Sequence, residues 1–197
     1  MNPRIQQAIS ESIIIKQQVL NNEPLLDTLA RVSDICTIAL KAKKKLLFCG
    51  NGGSASDAQH LAAEFSGRFY IDRAPLDAEA LHVNPSYLTA AANDYSFDEV
   101  YARALGAKGR EGDVLFGLST SGKSKNVIRA FEEAKRLQIL TVAMTGASGG
   151  QLHRLADFWL PIPSVDTPRI QEAHMLLGHI ICELVEASIF GHQSTPS

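Results

Sequence analysis

The segment CGNGGSASDAQHLAAEFSGRF, residues 49–69, sets His60 and Glu64 four residues apart just beyond a glycine-rich turn. On a helix that spacing puts both side chains on one face, where they can hold a divalent cation or exchange a proton. Alone, the pair also fits an ordinary solvated helix face, although Leu61 and Phe65 make the adjoining face apolar. A second set of polar residues, Gln171, His174 and His179, punctuates the apolar run RIQEAHMLLGHIICELVE. Polar groups buried in such a run need partners. A backbone carbonyl would suffice for His174. Two histidines, a carboxylate and an amide oxygen, from His60, Glu64, Gln171 and His179, would suit zinc or a similar divalent ion. Gln171 and His179 are separated by about 12 Å of helical rise. Either their side chains lean together, or neighbouring subunits share the pocket.

Two turns carry the chemistry of anion binding. Gly50 to Ser54 follows one apolar run, and Ser119 to Ser124 follows another. Backbone N–H groups of a tight turn at a helix N-terminus favour an anion, and the hydroxyls of Ser119, Thr120, Ser121 and Ser124 add neutral donors. Such a pocket suits a phosphate monoester on a small molecule better than a triphosphate with magnesium. The plainer alternative is that these serines only cap a helix.

Each turn also matches a nucleotide motif, and both matches fail on context. Gly50, Gly52 and Ala55 fit the dinucleotide fingerprint, with Asp72 at the expected distance. Gly67 and Arg68 interrupt that crossover, however, and a better second strand comes later, around Ala80 to Val83. Gly117 to Ser124, GLSTSGKS, fits the P-loop pattern through Lys123. No apolar strand ends in the aspartate that would hold the magnesium.

The elements that must position these residues follow from periodicity. Residues 3 to about 21 and 24 to about 43 read as helices, the second with Pro24 in its first turn. Leu46 to Cys49 is a buried strand stopped by GNGG, and Ser54 to about Phe65 is a helix. Further strands are expected at Glu79 to Val83, Asp113 to Leu118, Ile139 to Met144 and Asp157 to Ile162. Helices are expected at Lys125 to Leu137 and from about Thr167 to Phe190. Strands alternating with helices, without apolar–polar alternation, indicate a mainly parallel sheet covered on both faces, a doubly wound α/β domain. Ligands bind such sheets at the carboxyl ends of the strands, near the point where strand order reverses.

The 197 residues suffice for one sizeable core, and a net charge of −2 gives no electrostatic reason to expect nucleic acid. No segment reads as a signal peptide or a membrane span, so a cytoplasmic protein is expected. Cys36, Cys49 and Cys182 are odd in number and widely spaced, which suits reduced, buried thiols.

CGNGGSASDAQHLAAEFSGR, AAANDYSFDEVYAR, GREGDVLFGLSTSGKSKNVI, TGASGG and RIQEAHMLLGHIICELVE, in that order, resemble the phosphoheptose isomerases of the SIS (sugar isomerase) family over nearly the whole chain. The resemblance implies a three-layer αβα sandwich with a flavodoxin-like, five-stranded parallel sheet. N-terminal helices would occupy residues 1–44, the SIS domain 45–190 and a flexible tail 191–197. It implies a homotetramer with active sites at subunit interfaces, converting sedoheptulose 7-phosphate to D-glycero-D-manno-heptose 7-phosphate at the start of ADP-heptose synthesis for lipopolysaccharide or related glycans. By motif, Asn51, Gly52, Gly53, Asn93 and Asp94 would contact substrate, and Ser119, Thr120, Ser121 and Ser124 would hold the phosphate. His60, Glu64, Gln171 and His179 would bind zinc, with Gln171 also near substrate and Glu64 and His179 as the acid–base pair. Lys123 departs from the family, which commonly has a neutral residue there. The resemblance extends to a relative of another class, the DnaA initiator-associating protein, a binding factor whose glycine and serine turns persist while the positions of Glu64 and His179 look degraded. Both residues are intact in this chain.

Overall fold

In the computed structural model, residues 2–191 are described, and 192–197, most of the expected tail, lie outside the described residues. Two helices come first, α1 (Pro3–Leu20) and α2 (Glu23–Lys41). Each opens on an asparagine, Asn2 or Asn22, whose side chain accepts a first-turn N–H, with a proline in the first turn where its missing N–H costs nothing. There follow β1 (Leu46–Gly50), α3 (Gly53–Ser66), β2 (Ala78–Ala80), α4 (Pro85–Asp94), a 3-10 turn at Phe97–Glu99 and α5 (Val100–Lys108). The chain continues through β3 (Val114–Ser119), α6 (Lys125–Arg136), β4 (Leu140–Thr145), β5 (Phe158–Pro161) and α7 (Thr167–Phe190).

All five strands pair in parallel, in the order β2-β1-β3-β4-β5. This is the flavodoxin-like order, with its reversal between β1 and β3. Successive residues feed opposite faces. Leu46, Phe48, Phe116, Leu118, Val142 and Met144 pack with α2, α3 and α7, while Leu47, Cys49, Leu115 and Ala143 pack with α5 and α6. Both faces are thus apolar, which is why the strands show no polar alternation. The three cysteines are free and buried, as expected.

The expected strands shift by a residue or two. The largest change is at β2, expected over 79–83 but ended at Ala80: Leu81 N–H still reaches the Phe48 carbonyl at 2.9 Å, while Val83 N–H turns back onto the Ala80 carbonyl. Helices α4 and α5 are elements that the periodicity did not single out. The first carries only one buried residue, Ala91, and so no apolar stripe. Helix α7 is long and apolar enough to cross a membrane by length and composition, contrary to the expectation that no segment would be. Its apolarity serves the core, where Ile170, Ala173, Leu177, Ile181 and Val185 are buried against the sheet side of α2 and α3.

His174, fully buried on α7, donates from Nε2 to the Thr145 carbonyl at 3.2 Å. It is the core histidine satisfied by a carbonyl, not part of a ligand set. Its Nδ1 has no partner, and burial pushes its pKa down to about 4, against the smaller pull of the Thr145 bond. Between pH 6.5 and pH 4 the unfolded chain therefore binds a proton that the folded chain refuses, so stability falls as pH falls through that window. The loss is expected to be on the order of 3 kcal/mol. Thermal melts across that range should show His174→Leu flattening the slope.

Candidate active site

Helices α3 and α6 leave β1 and β3 for opposite faces of the sheet, opening a crevice at the carboxyl ends of those strands. On one side, the Gly50 carbonyl accepts the buried Tyr101 hydroxyl, and Gly52 turns the chain at φ 57° into α3. On the other side, Ser119 and Ser124 bring their hydroxyls 2.9 Å apart across the turn. Gly122, at φ +64°, lies flat on the Gly149–Gly150 backbone, where any Cβ would collide with the Gly149 carbonyl. Its own carbonyl accepts the N–H groups of Gln151 and Leu152. The TGASGG segment therefore braces the serine turn from beneath.

The serines do not cap α6. Ser124 is its N-cap residue but makes no side-chain cap bond, and the N-termini of α3 and α7 also lack side-chain caps. Helix ends left in this state present N–H groups and the positive end of the helix dipole to an anion.

His60, Glu64 and His179 meet two turns further down. Helices α3 and α7 run side by side in one direction: Gly53 abuts the Gln171 amide, and Gly178 abuts Leu61. Because Gly178 has no side chain to hold the helices apart, His60 Nε2 and His179 Nε2 come within 3.1 Å. Glu64 Oε1 is also 3.1 Å from His60 Nε2. One ligand atom from each of the three residues falls within a 4.8 Å group. Two imidazole nitrogens facing each other beside a carboxylate oxygen form a set of lone pairs that a single cation fits, and the mixed N and O donors suit zinc-like ions. Asp57, one turn before His60, holds a buried oxygen with no partner; burial pushes its carboxyl up to about 6, with His60 pulling the other way.

Gln171 is placed against Gly53, at the glycine turn, about 12 Å of helix rise before His179. Asn93 and Asp94 sit in the last turn of α4, exposed, with Asn93 Nδ2 donating to Asp94 Oδ1 at 3.0 Å. Thr120 is half-buried, and Ser121 and Lys123 are exposed, Ser121 Oγ accepting the Lys123 N–H. Asp72, the acid of the dinucleotide match, lies exposed in a loop before β2, so that fingerprint has no strand to sit on.

Sequence reasoning missed the residues that hold this geometry. The buried carboxylate of Glu186 accepts the N–H groups of Phe69, Tyr70 and Ile71 and the Arg73 guanidinium at 2.9 Å. The same guanidinium donates to the carbonyls of Glu64, Phe65 and Gly67. One ion pair thus fixes the end of α3 at Glu64 and the loop whose Phe69 ring lies 5.7 Å from the His179 ring. An acid in the apolar run of α7 was the available signal.

A SIS domain model matches residues 12–146 and a second SIS domain model residues 106–191. The chain belongs to the SIS domain family. Within it, the chain is 47% identical over 191 residues to a phosphoheptose isomerase of Sulfurimonas denitrificans, covering 97% of this chain and 98% of the relative. It is 51% identical over 180 residues to that of Mycobacterium tuberculosis, covering 91% and 92%. The solved phosphoheptose isomerase of Neisseria gonorrhoeae superposes with a TM-score of 0.88 at 40% identity, over 94% of this chain and 98% of that one. The NanR protein of Vibrio vulnificus complexed with ManNAc-6P shares the fold alone, with a TM-score of 0.64 at 18% identity over 94% of this chain and 63% of that one.

Burial alone would raise the Glu186 pKa, but the hydrogen bonds from Tyr70, Arg73, Phe69 and Ile71 outweigh it and hold it below the usual carboxylate value. Its stabilisation is present above the ordinary glutamate range and is lost as pH falls through the depressed value. Glu186→Ala leaves a buried guanidinium unpaired and should cost about 3–5 kcal/mol in denaturant unfolding, with Glu186→Gln costing less.

Proposed function

We propose that the protein is an aldose–ketose isomerase that converts sedoheptulose 7-phosphate to D-glycero-D-manno-heptose 7-phosphate, the first step of ADP-heptose synthesis for lipopolysaccharide or related surface glycans. The observation that carries this is the convergence of His60, Glu64 and His179 beside two anion-type turns. The chain in which they converge is about half identical to phosphoheptose isomerases along its length. A binding factor without activity is not favoured, since nothing in the acid–base set is missing.

In this reading the phosphate rests on the α6 N-terminus and the hydroxyls of Ser119, Thr120, Ser121 and Ser124. The main chain of Asn51, Gly52 and Gly53, with Gln171, holds the sugar hydroxyls. One of Glu64 and His179 takes the proton from the carbon next to the carbonyl. The released electron pair closes the carbon–carbon double bond of an enediol, and the carbonyl oxygen gains a proton. Return of a proton to the former carbonyl carbon, as the hydroxyl on the deprotonated carbon gives up its own proton and becomes the new carbonyl, completes the transfer between C1 and C2. His60, Glu64 and His179 would hold zinc or a similar divalent ion; Gln171 lies at the glycine turn of the same chain, so it would reach such an ion only from a neighbouring subunit. When bound, such an ion supplies Lewis-acid polarisation of the carbonyl and stabilisation of the enediolate charge. A carboxylate shared with a cation is a weaker base, so the two roles of Glu64 compete.

The protein is further read as a cytoplasmic homotetramer with shared sites. Ile5, Ile9 and Ile13 form an exposed stripe at four-residue spacing on α1 that a second copy would cover. Asn93 and Asp94, at the exposed end of α4, would contact the substrate in this pocket or in a neighbour's.

The deciding experiment is a coupled assay on sedoheptulose 7-phosphate with and without a chelator. Glu64→Gln and His179→Ala should each lower turnover on the order of 10³-fold or more while the chain stays folded and assembled. Near-wild-type turnover in either overturns the assignment. Lys123→Ala should change turnover by less than about threefold.

A further inference from the structure

Main-chain pairing of β1 with β3 ends at Gly50 opposite Leu118, so the two turns that form the crevice separate from there on. What joins them again is a pair of amides. Asn51, the first residue after β1, and Asn126, the second residue of α6, exchange two hydrogen bonds, Nδ2 to Oδ1 in each direction, both 2.9 Å. Asn126 is 2% exposed, and its Oδ1 also accepts the Val127 N–H at 3.0 Å. Among the described residues, no other side-chain hydrogen bond links residues 50–53 to residues 119–127.

Turning one amide over would set donor against donor and acceptor against acceptor, and turning both would set the Val127 N–H against the Asn126 Nδ2, so only one orientation is self-consistent. It therefore fixes both a distance and a rotation between the turns. Helix α6, with the serine turn, carries the anion end of the crevice; the glycine turn opens α3, which carries His60 and Glu64. A ligand held at its phosphate by one and at its reacting carbons by the other is stretched across this joint. The Asn51 side chain is already committed to the joint, which leaves its main chain to face the ligand.

Building on the isomerase reading, we infer that the Asn51–Asn126 amide pair is the spacer that sets the separation between the phosphate end and the reacting end of the crevice, with Asn126 as its buried positioning residue. Asn126 touches no reacting atom. It acts by holding the α6 N-terminus and the glycine turn in register, which matters only to a ligand that spans both.

A double-mutant cycle with two probes tests this. Inorganic phosphate, used as an inhibitor, touches the serine turn alone, whereas sedoheptulose 7-phosphate spans both turns. Asn51→Ala and Asn126→Ala should each lower kcat/KM for the sugar phosphate about tenfold or more, while the phosphate inhibition constant stays within about twofold. The double variant should be no worse than the worse single, since either change breaks the same joint. Multiplying losses, an equal weakening of phosphate and sugar phosphate, or wild-type kinetics in the singles would each overturn the inference. Should Asn126→Ala fail to fold, Asn51→Ala, at a half-buried turn position, breaks the same pair and is read alone. A wild-type protein without turnover would instead overturn the isomerase reading, and the same cycle is then read from calorimetric binding of the two probes with the same expectations.

Discussion

The buried pair of Arg73 and Glu186 is the interaction on which the rest of the site depends. Three consecutive backbone N–H groups and a guanidinium converge on one carboxylate, and the guanidinium's remaining N–H groups meet carbonyls at the end of α3. Removing two charges from water costs several kcal/mol each, and only such complete hydrogen bonding offsets it. The result is a rigid crossing of α3, α7 and the loop between α3 and β2. Glu64 and His179 belong to the first two of these, and His179 rests on Phe69 of the third.

From that crossing the site extends upward in register. Since α3 and α7 run in the same direction, contacts repeat in step along them, His60 with His179 and Gly53 with Gln171. The same pair of helices therefore presents the His60, Glu64 and His179 cluster at mid-length and uncapped N-termini at the sheet edge. The cluster and the open helix ends are separated along the helix axes rather than across the fold. A parallel sheet with its order reversed between β1 and β3 supplies the second wall, and the amides of Asn51 and Asn126 close it to the first.

Much of this was legible in the sequence because it follows from short-range rules. Short runs, two of them stopped by the GNGG and serine turns, became the five parallel strands, and the i, i+4 spacing of His60 and Glu64 gave their common face. The union of His60 with His179 was not derivable from spacing, since it needs the relative direction of two helices more than 100 residues apart in the chain. The family resemblance supplied it. Helix α4 escaped notice because it buries so little that no periodic stripe forms, and α5 because its nine residues are too few to show one. Asn126 and Glu186 went unremarked for a different reason: a buried polar residue looks like any surface one until its partner, 75 or more residues away, is known.

Gly122 sits directly on the Gly149–Gly150 backbone, with no side chain from either segment between them. The underside of the anion turn is thus closed to variation, because any added carbon would lift the turn off its support. Divergence among proteins built on this plan has to be written on the upper side, at the positions of Thr120, Ser121 and Lys123, where side chains are at least partly open to solvent. Lys123 stands at one such position, and its charge lies at the rim of the turn without touching the backbone path beneath.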